Sequence, residues 1–124
     1  MKRDLGLIRE IALALESVPN PNPHTNLKAI YLIEGHSVDE ILYHLRLMFD
    51  EDLIEGKMID SIGGHSSVNL LRLTARGHDF IDPTQDPQVW DQILQKIREV
   101  GQSASIRIII ELGKDDLMKK FGLS

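Results

Sequence analysis

No cysteine occurs among the 124 residues. That absence excludes a disulfide framework, thiolate metal sites and a cysteine nucleophile. Aromatic residues are sparse at 5%, and no apolar run approaches the roughly 18 residues that a membrane-crossing helix needs. Positive charge is also short, with 14 Lys and Arg against 19 Asp and Glu and a net charge of -5. An acidic chain repels phosphate polymers and anionic lipid in general, so any such contact must come from a local patch. The first residues, Met1, Lys2, Arg3 and Asp4, lead into an amphipathic segment and not into a signal peptide. The expected context is cytoplasmic, with no membrane partner.

What is present is ordinary globular composition, 42% hydrophobic and 27% charged. A chain of this size can bury a core unaided. The first helix is expected over 4–17, with Asp4 as its cap. Leu5, Ile8, Ala12 and Leu15 form one apolar stripe, and Leu7, Ile11, Ala14 and Val18 a second. Prolines 19, 21 and 23 end the helix and favour an extended connector. Residues 27–33, with the apolar cluster Ile30, Tyr31, Leu32 and Ile33, read as a short strand.

Ser37 followed by Glu40 is a capping box, and it opens the clearest helix. Its buried face is expected to carry Val38, Ile41, Leu42, Leu45, Met48 and Phe49. Residues 57–62 and 68–73 read as two strands around Gly63 and Gly64, so that 54–73 is expected to be a β-hairpin. Thr74 caps a short helix that ends before Pro83. Asp86 and Pro87 then start another, bearing Val89, Trp90, Ile93, Leu94, Ile97 and Val100 at helical spacing. Residues 105–121 suit a strand through Ile106, Ile108, Ile109 and Ile110. They suit a helix better, with Ile106, Ile110, Gly113, Leu117 and Phe121 in one stripe.

Helix, short strand, helix and β-hairpin in this order form the core of a winged helix, the hairpin being the wing. The expected class is therefore α+β, with a winged-helix-like domain over 1–82. A helical C-terminal extension over 83–124 is expected to pack on helix one or on a second subunit. A full helix-turn-helix needs a helix just before the recognition helix. Here residues 27–35 hold that place, so either a very short helix lies there or the winged helix is trimmed.

Several segments also resemble a known family. They are Tyr43-His44-Leu45-Arg46-Leu47, then Leu53-Ile54-Glu55, then Arg72-Leu73-Thr74, then Gly77-His78-Asp79-Phe80-Ile81-Asp82, then Trp90, with Met1-Lys2-Arg3-Asp4 at the start. Together they are similar to the bacterial and phage-borne family catalogued as domain of unknown function 2513. The resemblance covers nearly the whole chain and implies a fold more than an activity.

Outward from the helix at Ser37 lie Asp39, Glu40, Tyr43, Leu47 and Asp50, with His44 and Arg46 at the flanks. DNA phosphates draw on Lys and Arg, and base edges on Arg, Asn and Gln; this face offers only Arg46. Tyr43 and Leu47 beside acids suit a protein contact. The wing brings Lys57, His65 and Arg72. Contact with either partner is thus expected at Tyr43, Arg46, Leu47, Lys57, His65 and Arg72. Fold precedent ranks double-stranded DNA first and a protein partner second.

Histidines 44 and 78 are expected to be partly buried, locking the hairpin to the helices. No His-x-x-x-His pair occurs, and no metal or cofactor is expected. Ser66 and Ser67 beside His65 lie in a turn and do not make a nucleophile with its base, so an enzyme is the least favoured class. Surplus apolar surface at Leu7, Ile11, Ile108 and Leu112 points to a homodimer built from the terminal helices.

Overall fold

A computed structural model of the chain describes residues 1–17, 30, 33–60, 66–100, 105–120 and 122. These residues form a mixed α+β protein, mostly helical, with one small sheet of two antiparallel strands. The elements are α1 (Leu5–Ser17), α2 (Val38–Asp50), β1 (Ile54–Asp60), β2 (Ser66–Leu73), α3 (Ala75–Ile81), a 3-10 turn (Asp82–Thr84), α4 (Pro87–Val100) and α5 (Ser105–Lys120). Two compact units divide the chain, Met1–Gly77 and His78–Ser124. The division falls inside α3.

The first unit is built on caps that the sequence announces. Asp4 Oδ1 accepts the Leu7 amide at 3.2 Å. Ser37 Oγ accepts the Glu40 amide at 3.1 Å, and the Glu40 carboxylate reaches back to the Ser37 amide at 3.4 Å. Helix α1 packs on α2 and on β2, and α2 packs on β1. Leu7, Ile8, Ile11, Ile41, Leu45, Met48, Leu53, Val68 and Leu71 are buried in this unit. Each such side chain contributes about 1.5–3 kcal/mol on leaving water.

Helix α2 buries Ile41, His44, Leu45 and Met48. Val38, expected inside, is 51% exposed, and Leu42 and Phe49 are half-buried. The stripe is rotated toward His44, because that side chain finds partners inside.

The end of α2 is a Schellman motif. Asp52 has φ 57, its amide donates to Phe49 O at 3.1 Å, and the Leu53 amide donates to Met48 O at 2.9 Å. Thr74 then ties three segments together. Its hydroxyl donates to Asp52 O at 2.5 Å and accepts the Gly77 amide at 3.0 Å, while its own amide donates to Leu53 O at 3.0 Å.

The hairpin runs from Ile54 to Leu73 as expected, with both strands beginning earlier than the arms read from the sequence, β1 at Ile54 and β2 at Ser66. The register pairs Ile54 with Leu73, Glu55 with Arg72, Lys57 with Asn69 and Met58 with Val68. A bulge between Glu55 and Lys57 sets two β2 residues against Gly56. Residues 61–65, with the expected glycine turn, lie outside the described residues, as does the proline connector.

The strand expected over 27–33 also lies mostly outside them. At its two described positions it is corrected: Ile30 is helical and buried, and the Ile33 amide donates to Ile30 O at 3.2 Å. An i to i+3 bond belongs to a helical turn, not to a strand.

In the second unit Gln88 N donates to Asp86 Oδ1 at 2.9 Å, with Pro87 at the first helical position. Helix α4 buries Trp90, Ile93 and Ile97. Residues Ser105–Lys120 are helical throughout, and Ile109 joins Ile106 and Ile110 inside. The 3-10 turn packs on both helices. Its Thr84 hydroxyl, fully buried, donates to Ile81 O at 2.9 Å.

Candidate functional site

Helix α2 and the hairpin after it carry the residues of interest. Asp39, Arg46 and Asp50 are exposed on α2, and Tyr43 and Leu47 are half-buried. The Tyr43 ring stands edge-on to His44, with centroids 5.4 Å apart and planes at 82°. His44 therefore helps to set how Tyr43 meets the surface.

His44 is 1% exposed. Its Nδ1 lies 2.7 Å from Glu40 O, and its Nε2 lies 2.9 Å from Asp4 N. A carbonyl only accepts and a backbone amide only donates, so Nδ1 carries the proton and Nε2 accepts. The ring thus joins the start of α1 to α2. Neither of these hydrogen bonds runs to the hairpin that the sequence reading expected the ring to lock. His78 is exposed, which corrects the second half of that expectation.

The cations of the hairpin region are mostly engaged. Arg72 Nε donates to Glu55 Oε2 at 2.6 Å across the strand pair, and a second guanidinium nitrogen lies 2.5 Å from the same oxygen. Arg76 donates from Nε to Glu51 O at 3.0 Å, with its Nη2 3.6 Å from the Glu51 carboxylate. Lys57 is exposed on β1. His65 lies outside the described residues.

At the start of α2, Glu40 Oε2 lies 3.2 Å from His36 Nδ1. That hydrogen bond, with the one from the Ser37 amide, holds the Glu40 carboxyl below its ordinary range.

Between the last turns of α2 and β1 opens a groove of about 420 Å³, lined by Arg46, Phe49, Asp50, Gly56 and Met58. The sequence reading expected contact at Arg46 and put Asp50 on the outward face of the helix, but it named no groove and gave no role to Gly56 or Met58. The available signal was Gly56, since a glycine inside a β-forming run marks a bulge or a close approach to the backbone.

The four residues expected at a dimer interface are placed unequally. Leu7 and Ile11 have no exposed surface in the single chain, so they offer nothing to a second copy unless the fold opens. Ile108 and Leu112 are half-buried on α5. Among the described residues no helix is long and apolar enough to cross a membrane.

Residues 2–103 match the family described as hypothetical protein (DUF2513), and the chain belongs to that family. It is also 27% identical over 117 residues to an uncharacterized protein of Haemophilus influenzae, covering 92% of this chain and 93% of that one. No solved structure matches it.

Proposed function

We propose that the chain is a non-enzymatic, winged-helix-like regulatory module that engages another protein through α2 and the adjoining strand β1. The observation that carries this reading is electrostatic. Arg72 and Arg76, two of the cations that would reach phosphates, are bound to Glu55 and Glu51, while Asp39 and Asp50 stand exposed on α2. A phosphate backbone brought to this face meets unscreened carboxylates at the helix and neutralised arginines beside it. Half-buried Tyr43 and Leu47 next to those acids fit a protein surface better. The order taken from fold precedent is therefore reversed.

Duplex DNA is the second reading. What favours it is the order of elements, α2 followed by a hairpin, together with the helical turn at Ile30 just before α2. That turn stands where a helix-turn-helix has its first helix.

The two separate in a titration of the full chain with a mixed-sequence duplex at low and moderate salt. The protein reading expects no salt-dependent association, because too few cations are available for counterion release. Tight low-salt binding that Lys57→Ala weakens would favour DNA. Leu47→Asp should abolish the chain's association with its protein partner while leaving the fold intact.

A further inference from the structure

The groove between α2 and β1 has an apolar lining and one unanswered charge. Phe49 and Met58, both half-buried, supply its apolar lining, and Gly56, which also lines it, has no side chain to fill the space. Of the two charges at the rim, Arg46 already has an interaction within the chain. Asp50 is exposed, and among the described residues no hydrogen bond or ion pair reaches its carboxylate. A volume of about 420 Å³ lies at the low end of the roughly 300–1,000 Å³ typical of ligand clefts, room for one or two side chains and not for a folded surface.

We propose that this groove docks a short basic and apolar segment of a partner protein. One apolar side chain of the segment lies over Gly56 between Phe49 and Met58, and a neighbouring Lys or Arg meets the Asp50 carboxylate. The inference rests on the protein-partner reading above and adds the chemistry of the partner. An acidic segment is disfavoured because Asp50 repels it and Arg46 is engaged. Duplex DNA is disfavoured for the same reason. The net charge of -5 adds a long-range attraction for a cationic segment.

The test uses the isotope-labelled full chain and amide spectra. The probes are an alternating Leu–Lys hexapeptide, a matched Leu–Glu hexapeptide and a mixed-sequence DNA duplex. The Leu–Lys peptide should shift the amides of Phe49, Asp50, Gly56 and Met58, with a Kd of roughly 0.1–1 mM, an affinity in keeping with so small a contact. Asp50→Asn should weaken it about three- to five-fold, the size of one solvent-open ion pair. Asp39→Asn, on the same helix but away from the groove, should leave the affinity unchanged, which separates docking from general attraction.

Equal shifts from the Leu–Glu peptide in the groove would overturn the proposed chemistry and leave the protein-docking reading standing. Loss of affinity in Asp39→Asn as large as in Asp50→Asn, or no groove shifts from either peptide, would overturn the proposal. Shifts of α2 and the hairpin by DNA alone would overturn both.

Discussion

His44 Nε2 accepts the backbone amide of Asp4 at 2.9 Å, across forty positions of sequence. Asp4 is also the cap of α1 through its carboxylate. One imidazole therefore holds the entry of α1 against α2 and stands in a T-shaped pair with Tyr43. His44→Ala removes this link and leaves a cavity, at an expected cost of about 2–4 kcal/mol. His44→Phe refills the space but leaves the Asp4 amide without its acceptor, while the Glu40 carbonyl keeps its helical backbone bond, at a cost of about 1–3 kcal/mol. Denaturant unfolding of both variants checks the order. If Phe is as stable as His, the hydrogen bonds are not what retains the ring.

Asp52 occupies the left-handed position of the α2 Schellman motif, at φ 57. Residues with a Cβ are strained there, Asp less than most, and glycine is not. Glycine also loses more freedom on folding. The strain term is the larger here, because the Asp52 side chain is exposed and its fixed contacts run through the backbone. Asp52→Gly is expected to raise stability by about 0.5–1 kcal/mol, read as a higher denaturant midpoint with an unchanged slope.

Gly77 opens the opposite case. A Cβ added there would overlap Leu53 O, the carbonyl that accepts the Thr74 amide. Alanine is the better helix former by about 1 kcal/mol, yet the obstacle is backbone held by a hydrogen bond and cannot step aside cheaply. Gly77→Ala is expected to cost a net of about 1–3 kcal/mol. A neutral or stabilising result in thermal unfolding would mean that the Leu53 and Thr74 contact gives way.

Much of the fold was legible because its signals are local. Asp4, Ser37, Thr74 and Asp86 each cap the helix their chemistry announces, and the helical stripe of Trp90, Ile93 and Ile97 is buried as its spacing implies. What failed depends on long-range partners. Val38 reads as apolar and inward, but a polar His44 with two hydrogen bonds takes the inner place, and no helical period can anticipate that. The β-branched cluster near Ile30 favours a strand by propensity, and the turn bond from Ile33 to Ile30 overrides it. At the candidate site the residue types were readable and their pairing was not. Arg72 looks like a phosphate contact until the register sets Glu55 directly opposite.

The Glu40 carboxyl is held below its ordinary range first by the His36 hydrogen bond and then by the Ser37 amide. A lowered folded value means that the stabilisation is complete above the unfolded value and is lost as pH falls through the folded one. The first turn of α2 should therefore loosen on acidification and not on raising the pH. Carboxyl resonances check this directly. Glu40 should titrate below the ordinary glutamate range, and His36→Ala should move its midpoint back up toward that range.

The Glu55 and Arg72 pair gives the sharpest division between the two functional readings. Both side chains are about 60% exposed, so the pair contributes only about 0.2–1 kcal/mol to stability, and Glu55→Gln leaves the fold intact. That substitution removes the guanidinium's counter-charge, while its hydrogen bond to Leu73 O remains. If phosphates are the natural ligand, the variant binds duplex DNA more tightly than the parent, and the slope of log affinity against log salt steepens by about one unit, one more counterion released. If the face meets a protein, neither parent nor variant shows a salt-dependent complex with DNA. The expected outcome is the second, because Asp39 and Asp50 remain on α2 whatever is done at Glu55, and one freed cation does not outweigh them.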